Sequence, residues 1–338
     1  MKCRSPWITG IVSGLGILVL IIDGRTATTA VADGIGLCIQ VVIPALFPFM
    51  CLGLLMNHAL FGKRIAFLQL LNHYCGIPNG AETIMLTGLL GGYPIGAQST
   101  ANAWSMGLLN KKTAQRMLSF CNNAGPAFIF GLAGGIFHSL REVVALWVVL
   151  ILSSVLTAII LPGKEHCATT LPNNQQITVT QAIEQSVRTM GYICAWVVLF
   201  RMLIAFLDRW FLWILPLNLR VFLYGIIELS NGCVALAKIS SNALRFLICS
   251  CFLSFGGICV CMQTRSVIKE LSVNQYIVGK LLQGLVSSTL CCIFIPFLYP
   301  GDQIPHQIIT LIVIFWFIAL TIIAFVRKNS SNLAESGV

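Results

Sequence analysis

Of 338 residues, 57% are hydrophobic and 9% are charged, far below the roughly 25% charged residues of an ordinary soluble domain. So few charges cannot cover a water-soluble surface, and the chain reads as a polytopic integral membrane protein. The 21 Lys and Arg against 11 Asp and Glu would suggest nucleic-acid binding in a soluble protein, but here they gather at the ends of apolar stretches, which excludes that reading.

The first apolar stretch, Trp7–Ile22, follows Met1-Lys2-Cys3-Arg4. The Asp23-Gly24-Arg25-Thr26-Ala27-Thr28 segment after it is a poor cleavage site, so it is predicted to be a retained first helix rather than a signal peptide. Further segments able to cross or deeply enter a bilayer are Ile35–Met56, Glu82–Leu109, Met117–Phe137, Val143–Leu161, Ala182–Leu207, Phe211–Ser230, Ala243–Met262, Gly279–Leu298 and Gln307–Val326. The fold expected is an all-α polytopic membrane protein of about eight to ten membrane helices, some broken or re-entrant, in two weakly similar halves. Basic residues at span ends (Lys2, Arg4, Lys63, Arg64, Lys111, Lys112, Arg116, Arg327, Lys328) favour both termini in the cytoplasm and an even number of crossings.

Four apolar stretches are interrupted by Gly, Pro and Asn or Ser clusters, two in each half: Gly91-Gly92-Tyr93-Pro94-Ile95-Gly96-Ala97-Gln98, Asn122-Asn123-Ala124-Gly125-Pro126, Glu228-Leu229-Ser230-Asn231-Gly232 and Ser254-Phe255-Gly256-Gly257. In hydrocarbon such breaks free backbone polar groups that only protein or a water-filled cavity satisfies, which points to a transport site. Kinks packed on small residues at a helix crossing are the other reading of Tyr93 and Pro94. The polar interval 163–180 divides the chain and reads as an exposed linker. The domains expected are therefore an N-terminal helix (1–33), a first repeat (34–162), the linker (163–180), a second repeat (181–328) and a flexible tail (329–338).

Glu228 is costly inside an apolar span and is expected to pair with Lys238 or Arg201, or to carry a coupling proton, unless it is simply hydrated at the membrane edge. Gln263 and Arg265 follow the fourth break, where an Arg suits a carboxylate but also serves topology. Fourteen cysteines sit mostly in apolar runs without C-x-x-C spacing, so they read as small hydrophobes, and no metal or cofactor is expected. No G-x-S-x-G, Walker A or H-E-x-x-H pattern is present, so neither an enzyme nor an ATP-driven pump is expected. The partners implied are the lipid bilayer and a small-molecule substrate; homo-oligomerisation or a membrane partner stays open.

The segments Gly92-Tyr93-Pro94-Ile95-Gly96-Ala97, Asn123-Ala124-Gly125-Pro126-Ala127-Phe128-Ile129, Gly225-Ile226-Ile227-Glu228 and Leu253-Ser254-Phe255-Gly256-Gly257-Ile258, in this order, resemble the sporulation integral membrane protein family of endospore-forming bacteria, the YlbJ or SpoVV type, which carries nucleoside-recognition (gate) regions. The resemblance covers roughly Gly34 to the last span. It implies a fold related to nucleoside transporters, a place in the outer forespore membrane of the mother cell and transport of dipicolinate. The family pattern has a basic residue after Gly-Tyr-Pro-x-Gly-Ala, where this chain has Gln98, and the linker is short. The substrate-binding residues expected are Gly92, Tyr93, Pro94, Gly96, Gln98, Asn122, Asn123, Gly125, Pro126, Glu228, Asn231, Ser254, Gly256, Gly257, Gln263 and Arg265. A nucleoside or nucleobase transporter, or a non-transporting scaffold in spore assembly, is the alternative.

Overall fold

The computed structural model describes residues 6–60, 63, 65–137, 139–161, 163, 177–268, 270–302 and 304–319. Lys2, Arg4, Arg64, Arg327, Lys328, most of the 163–180 interval and the 329–338 tail lie outside the described residues. The structure is 83% helical with no strand among the described residues. Gly24–Leu60, Leu140–Ile160, Val179–Trp210, Asn242–Val267 and Val273–Leu298 are long and apolar enough to cross a membrane. The protein is thus an all-α, membrane-embedded chain.

Helix α1 (Pro6–Ile22) is apolar on every face, with Trp7, Ile11, Ile21 and Ile22 all exposed, as suits a helix facing lipid. Helix α2 (Gly24–Leu37) opens well before the Ile35 start of the second predicted segment, because Asp23 caps it by accepting from the Thr26 amide at 3.4 Å. A π-helical stretch at Cys38–Val42 carries it into α3 (Ile43–Leu60). After α4 (Gln69–Cys75) come two short helices, α5 (Glu82–Gly91) and α6 (Ile95–Ser105), then α7 (Lys111–Cys121) and α8 (Pro126–Ala133). Gly92, at φ +79°, ends the first pair's opening helix, and Pro126 starts α8 at a position that needs no amide donor. Helix α9 (Leu140–Ile160) starts on a Ser139/Glu142 capping box and α10 (Val179–Trp210) on Thr178/Gln181.

Short elements return with α11 (Leu217–Ile227), α12 (Leu229–Ala235), α13 (Asn242–Phe255) and α14 (Gly257–Val267), followed by the long α15 (Val273–Leu298) and α16 (His306–Ala319). Ser241 and Ser272 cap α13 and α15. Helix α10 packs along α2 and α3, while α15 lies against α7, α9 and α13. One apolar core joins α3, α8, α9, α10 and α13; a second joins α5, α6 and α7 with Ile268, Leu271 and Tyr276.

Candidate functional site

Backbone contacts made through glycine bring the helix interruptions together in two pairs. A Cβ at Gly92 would lie 2.9 Å from the Gly125 nitrogen, and one at Gly96 would lie 1.9 Å from the Cys121 carbonyl oxygen. In the second half a Cβ at Gly232 would lie 2.1 Å from the Gly225 Cα, and one at Gly257 would lie 2.9 Å from the Gly225 carbonyl oxygen. Tyr93, buried, links the two pairs: its hydroxyl donates to the Leu253 carbonyl at 2.9 Å and leaves no room beyond Gly256. The Tyr93–Pro94 bond is cis.

Glu82, Arg116, Glu228 and Lys280 are the charged side chains buried among the described residues, and none of them belongs to an ion pair there. Arg116 is structural. Its guanidinium donates to the carbonyls of Leu161, Gly76 and Ala158 at 2.9 Å, and to that of Cys75, so it closes the C-terminal ends of α4 and α9. Glu228 is the N-cap of its own helix: its carboxylate accepts from the amides of Ser230 (3.0 Å) and Asn231 (2.7 Å) and from Asn231 Nδ2 (2.6 Å). The pairing read for it with Arg201 or Lys238 is corrected. Arg201 pairs with Asp33 at 2.8 Å, and Lys238 lines a separate cavity of about 360 Å³ with Asp208, Arg209 and Arg220. The α12 amides supply locally what the carboxylate needs.

Lys280 stands at the meeting point. It reaches the second interruption because α15 and α7 touch at their backbones, where a Cβ on Gly279 would lie 2.1 Å from Ser119 Cβ. Its ammonium, fully buried, donates to the Asn122 carbonyl (2.9 Å), Asn123 Oδ1 (3.2 Å) and Gln283 Oε1 (2.6 Å), and sits 5.5 Å from the Tyr93 ring centroid. Gln283 Nε2 closes the ring by donating to Asn123 Oδ1 (2.8 Å) and reaches Ser153 Oγ at 3.4 Å. Ser153 is 3.5 Å from Ser254 Oγ, at the fourth interruption. Asn122 Nδ2 donates to Thr264 Oγ1 (3.0 Å) and Tyr276 Oη (3.2 Å), and its Oδ1 accepts from the Ala97 amide (3.3 Å). Asn123 Nδ2 donates to the Phe120 carbonyl at 2.7 Å.

All three ammonium protons of Lys280 therefore meet neutral oxygens. Hydrogen bonding is thus satisfied with no carboxylate among the partners.

The structure gathers Gly92, Tyr93, Pro94, Gly96, Asn122, Asn123, Gly125, Pro126, Ser254, Gly256 and Gly257 around these contacts. Others stand apart. Arg265 is exposed on the last turn of α14, Gln263 donates to Cys259 Sγ of its own helix at 3.4 Å, and Asn231 is held by Glu228. The residues missed in the sequence are Lys280, Gln283, Tyr276 and Ser153. A signal existed on α15, since Tyr276, Lys280, Gln283 and Ser287 recur at helical spacing and form a buried polar stripe through an apolar helix. Comparison of the chain with family models, with curated proteins and with solved structures finds no match.

Proposed function

We propose that this chain is a secondary transporter or facilitator of a small anionic aromatic metabolite, with its site where the interrupted helices of its two halves meet. The observation that carries the reading is Lys280, a fully buried cation with three neutral oxygen partners and no carboxylate among them. An ammonium at that depth is expensive unless something uses its charge, and a carboxylate substrate does. The order of parts supports the two halves: α5/α6 and α7/α8 precede α9 as α11/α12 and α13/α14 precede α15. Lys280 also supplies, from the second half, the positive charge that Gln98 lacks at the first interruption. Dipicolinate is the substrate, and the outer forespore membrane the place, that the family resemblance implies; both termini on the cytoplasmic side go with that reading.

A neutral nucleoside fits less well. The amides that would read it, Asn122 and Asn123, are already bonded to protein groups. Uptake of labelled dipicolinate into proteoliposomes, with uridine as competitor, tests the proposal. Saturable uptake insensitive to uridine is expected. Inhibition by uridine replaces the substrate class, and absence of flux of either solute in folded, inserted protein favours the scaffold.

A further inference from the structure

The cavity of about 360 Å³ beside Lys238 lies apart from the interruptions and gathers charge from several elements. Arg201, Asp208 and Arg209 reach it from the C-terminal turns of α10, Arg220 from α11, and Lys238 from the turn that follows α12, against the start of α2. Asp208 is the single carboxylate among these lining groups, and the other four are cations.

The cations differ in how much of their bonding capacity the protein uses. Arg220 is spent on Asp208, to which it donates from Nε at 3.1 Å and from Nη2 at 2.7 Å, and the Tyr224 hydroxyl donates to the same carboxylate. Arg201 meets Asp33 through Nη2 at 2.8 Å, and Arg209 meets Asp23 through Nε at 2.8 Å. A guanidinium has five N–H donors, so both keep donors beyond the one nitrogen engaged. Lys238 belongs to no ion pair among the described residues. With Asp23 and Asp33 counted, four cations face three carboxylates, and the cluster carries one positive charge in excess.

The neighbours of this cluster put it at a membrane boundary. Trp210, Phe211, Trp213 and Ile214 follow Arg209 and are exposed, and the exposed Ile21 and Ile22 run into Asp23, the partner of Arg209. Aromatic side chains beside the charged end of an apolar helix mark the headgroup level of a bilayer, and basic pockets between helices at that level hold anionic headgroups. A soluble anion would use the charge and leave the apolar flanks without a role; a phospholipid uses both. We infer that this cavity binds the headgroup phosphate of an anionic phospholipid, with Lys238, Arg201 and Arg209 as its donors and the acyl chains along Ile21, Ile22, Trp213 and Ile214. A phosphodiester with an uncharged alcohol brings one negative charge to the one positive charge in excess, whereas a choline head carries its own cation and cancels the match. The inference goes beyond the transport reading and does not rest on it.

The test is a lipid titration of the purified full chain in detergent, followed by native mass spectrometry, which counts retained lipid, and by Tm. The probes are dioleoylphosphatidylglycerol, dioleoylphosphatidylcholine, the soluble headgroup glycerophosphoglycerol and inorganic phosphate. Saturable retention of phosphatidylglycerol with a rise in Tm is expected, with much weaker retention of phosphatidylcholine. Lys238→Gln should weaken phosphatidylglycerol binding about fivefold, the effect of one surface cation, and Arg201→Lys, which keeps the charge but loses the planar fork, severalfold. Lys112→Gln removes the same charge at the exposed start of α7, outside the cavity, and should leave the affinity unchanged. Equal retention of the two lipids overturns the inference, as does wild-type affinity in Lys238→Gln or an equal loss in Lys112→Gln, which would make the effect one of overall charge. A response to glycerophosphoglycerol or inorganic phosphate as large as that to the lipid also overturns it and makes the cavity a site for soluble phosphates.

Discussion

Replacing Lys280 with Met removes the ammonium while nearly keeping its length, and the structure separates the two consequences. For stability, the Asn122 carbonyl and Gln283 Oε1 lose their bonds to Lys280, while Asn123 Oδ1 keeps the Gln283 amide at 2.8 Å. Each acceptor left without a donor costs about 1–3 kcal/mol, and relief of a buried, uncompensated charge offsets much of this. The net change in unfolding free energy should stay within about 2 kcal/mol of zero. For binding, a carboxylate about 4 Å from the ammonium gains about 4 kcal/mol at an effective dielectric near 20, which is about a thousandfold in affinity. Equilibrium binding of labelled dipicolinate to detergent-purified Lys280→Met, beside its Tm, reads both. Wild-type affinity in a folded Lys280→Met protein refutes the reasoning, because it would mean the charge plays no part in recognition. Loss of dipicolinate binding together with unchanged weak uridine binding is the pattern that charge recognition requires.

Asn123→Ala removes the oxygen that Lys280 and Gln283 share, and should lower dipicolinate affinity by about tenfold or more through loss of positioning, about 1.4 kcal/mol, read in the same binding assay. Gly96→Ala puts a methyl 1.9 Å from the Cys121 carbonyl oxygen, so α6 and α7 must separate; a loss of about 1–3 kcal/mol or more is expected by thermal unfolding, whereas Gly191→Ala, with open space around it, should change Tm little. Arg116→Met strips the donors from four carbonyls at helix ends and should cost about 3–5 kcal/mol with substrate affinity unchanged in the fraction that folds. Glu228→Ala should lose about 0.5–2 kcal/mol as a missing N-cap, while Glu228→Gln keeps an acceptor oxygen for the α12 amides; a Gln variant that is stable yet inactive in uptake would give Glu228 a proton-carrying role instead.

What the sequence carries in legible form is local. Composition alone gives an all-helical membrane chain, and Gly92, Pro126 and Gly256 mark helix ends because each has a backbone preference that a regular helix does not accommodate. Charges are harder, since their meaning depends on which distant carbonyl or carboxylate the fold brings near. Arg116 reads as a topological charge at a span end and is in fact buried against α4 and α9. Glu228 reads as needing a distant cation and finds its donors within four residues. Lys280 is easy to pass over at the head of an apolar segment, where a lysine ordinarily snorkels to the interface; only the spacing of Tyr276, Gln283 and Ser287 around it tells otherwise. Glu82 heads the apolar stretch that opens α5, and nothing in its neighbours announces that it will be fully buried.

Arg116 and Lys280 then define opposite tests of what a buried cation is for. Arg116 meets the terminal carbonyls of two helices, groups that hydrocarbon would otherwise leave unsatisfied, so its removal should unfold the protein without changing what the protein recognises. Lys280 meets two side-chain amides and a single helix-end carbonyl, that of Asn122, so its removal should cost the fold less than that of Arg116. On the proposed transport reading its role is electrostatic: the three protons meet neutral oxygens, and the charge is what an anion would find there. An incoming carboxylate would compete for those protons and pull Lys280 away from Asn122 and Asn123. On the proposed reading that exchange would loosen the link between α15 and the second interruption, a local route by which occupancy of the site would be felt by the helices around it.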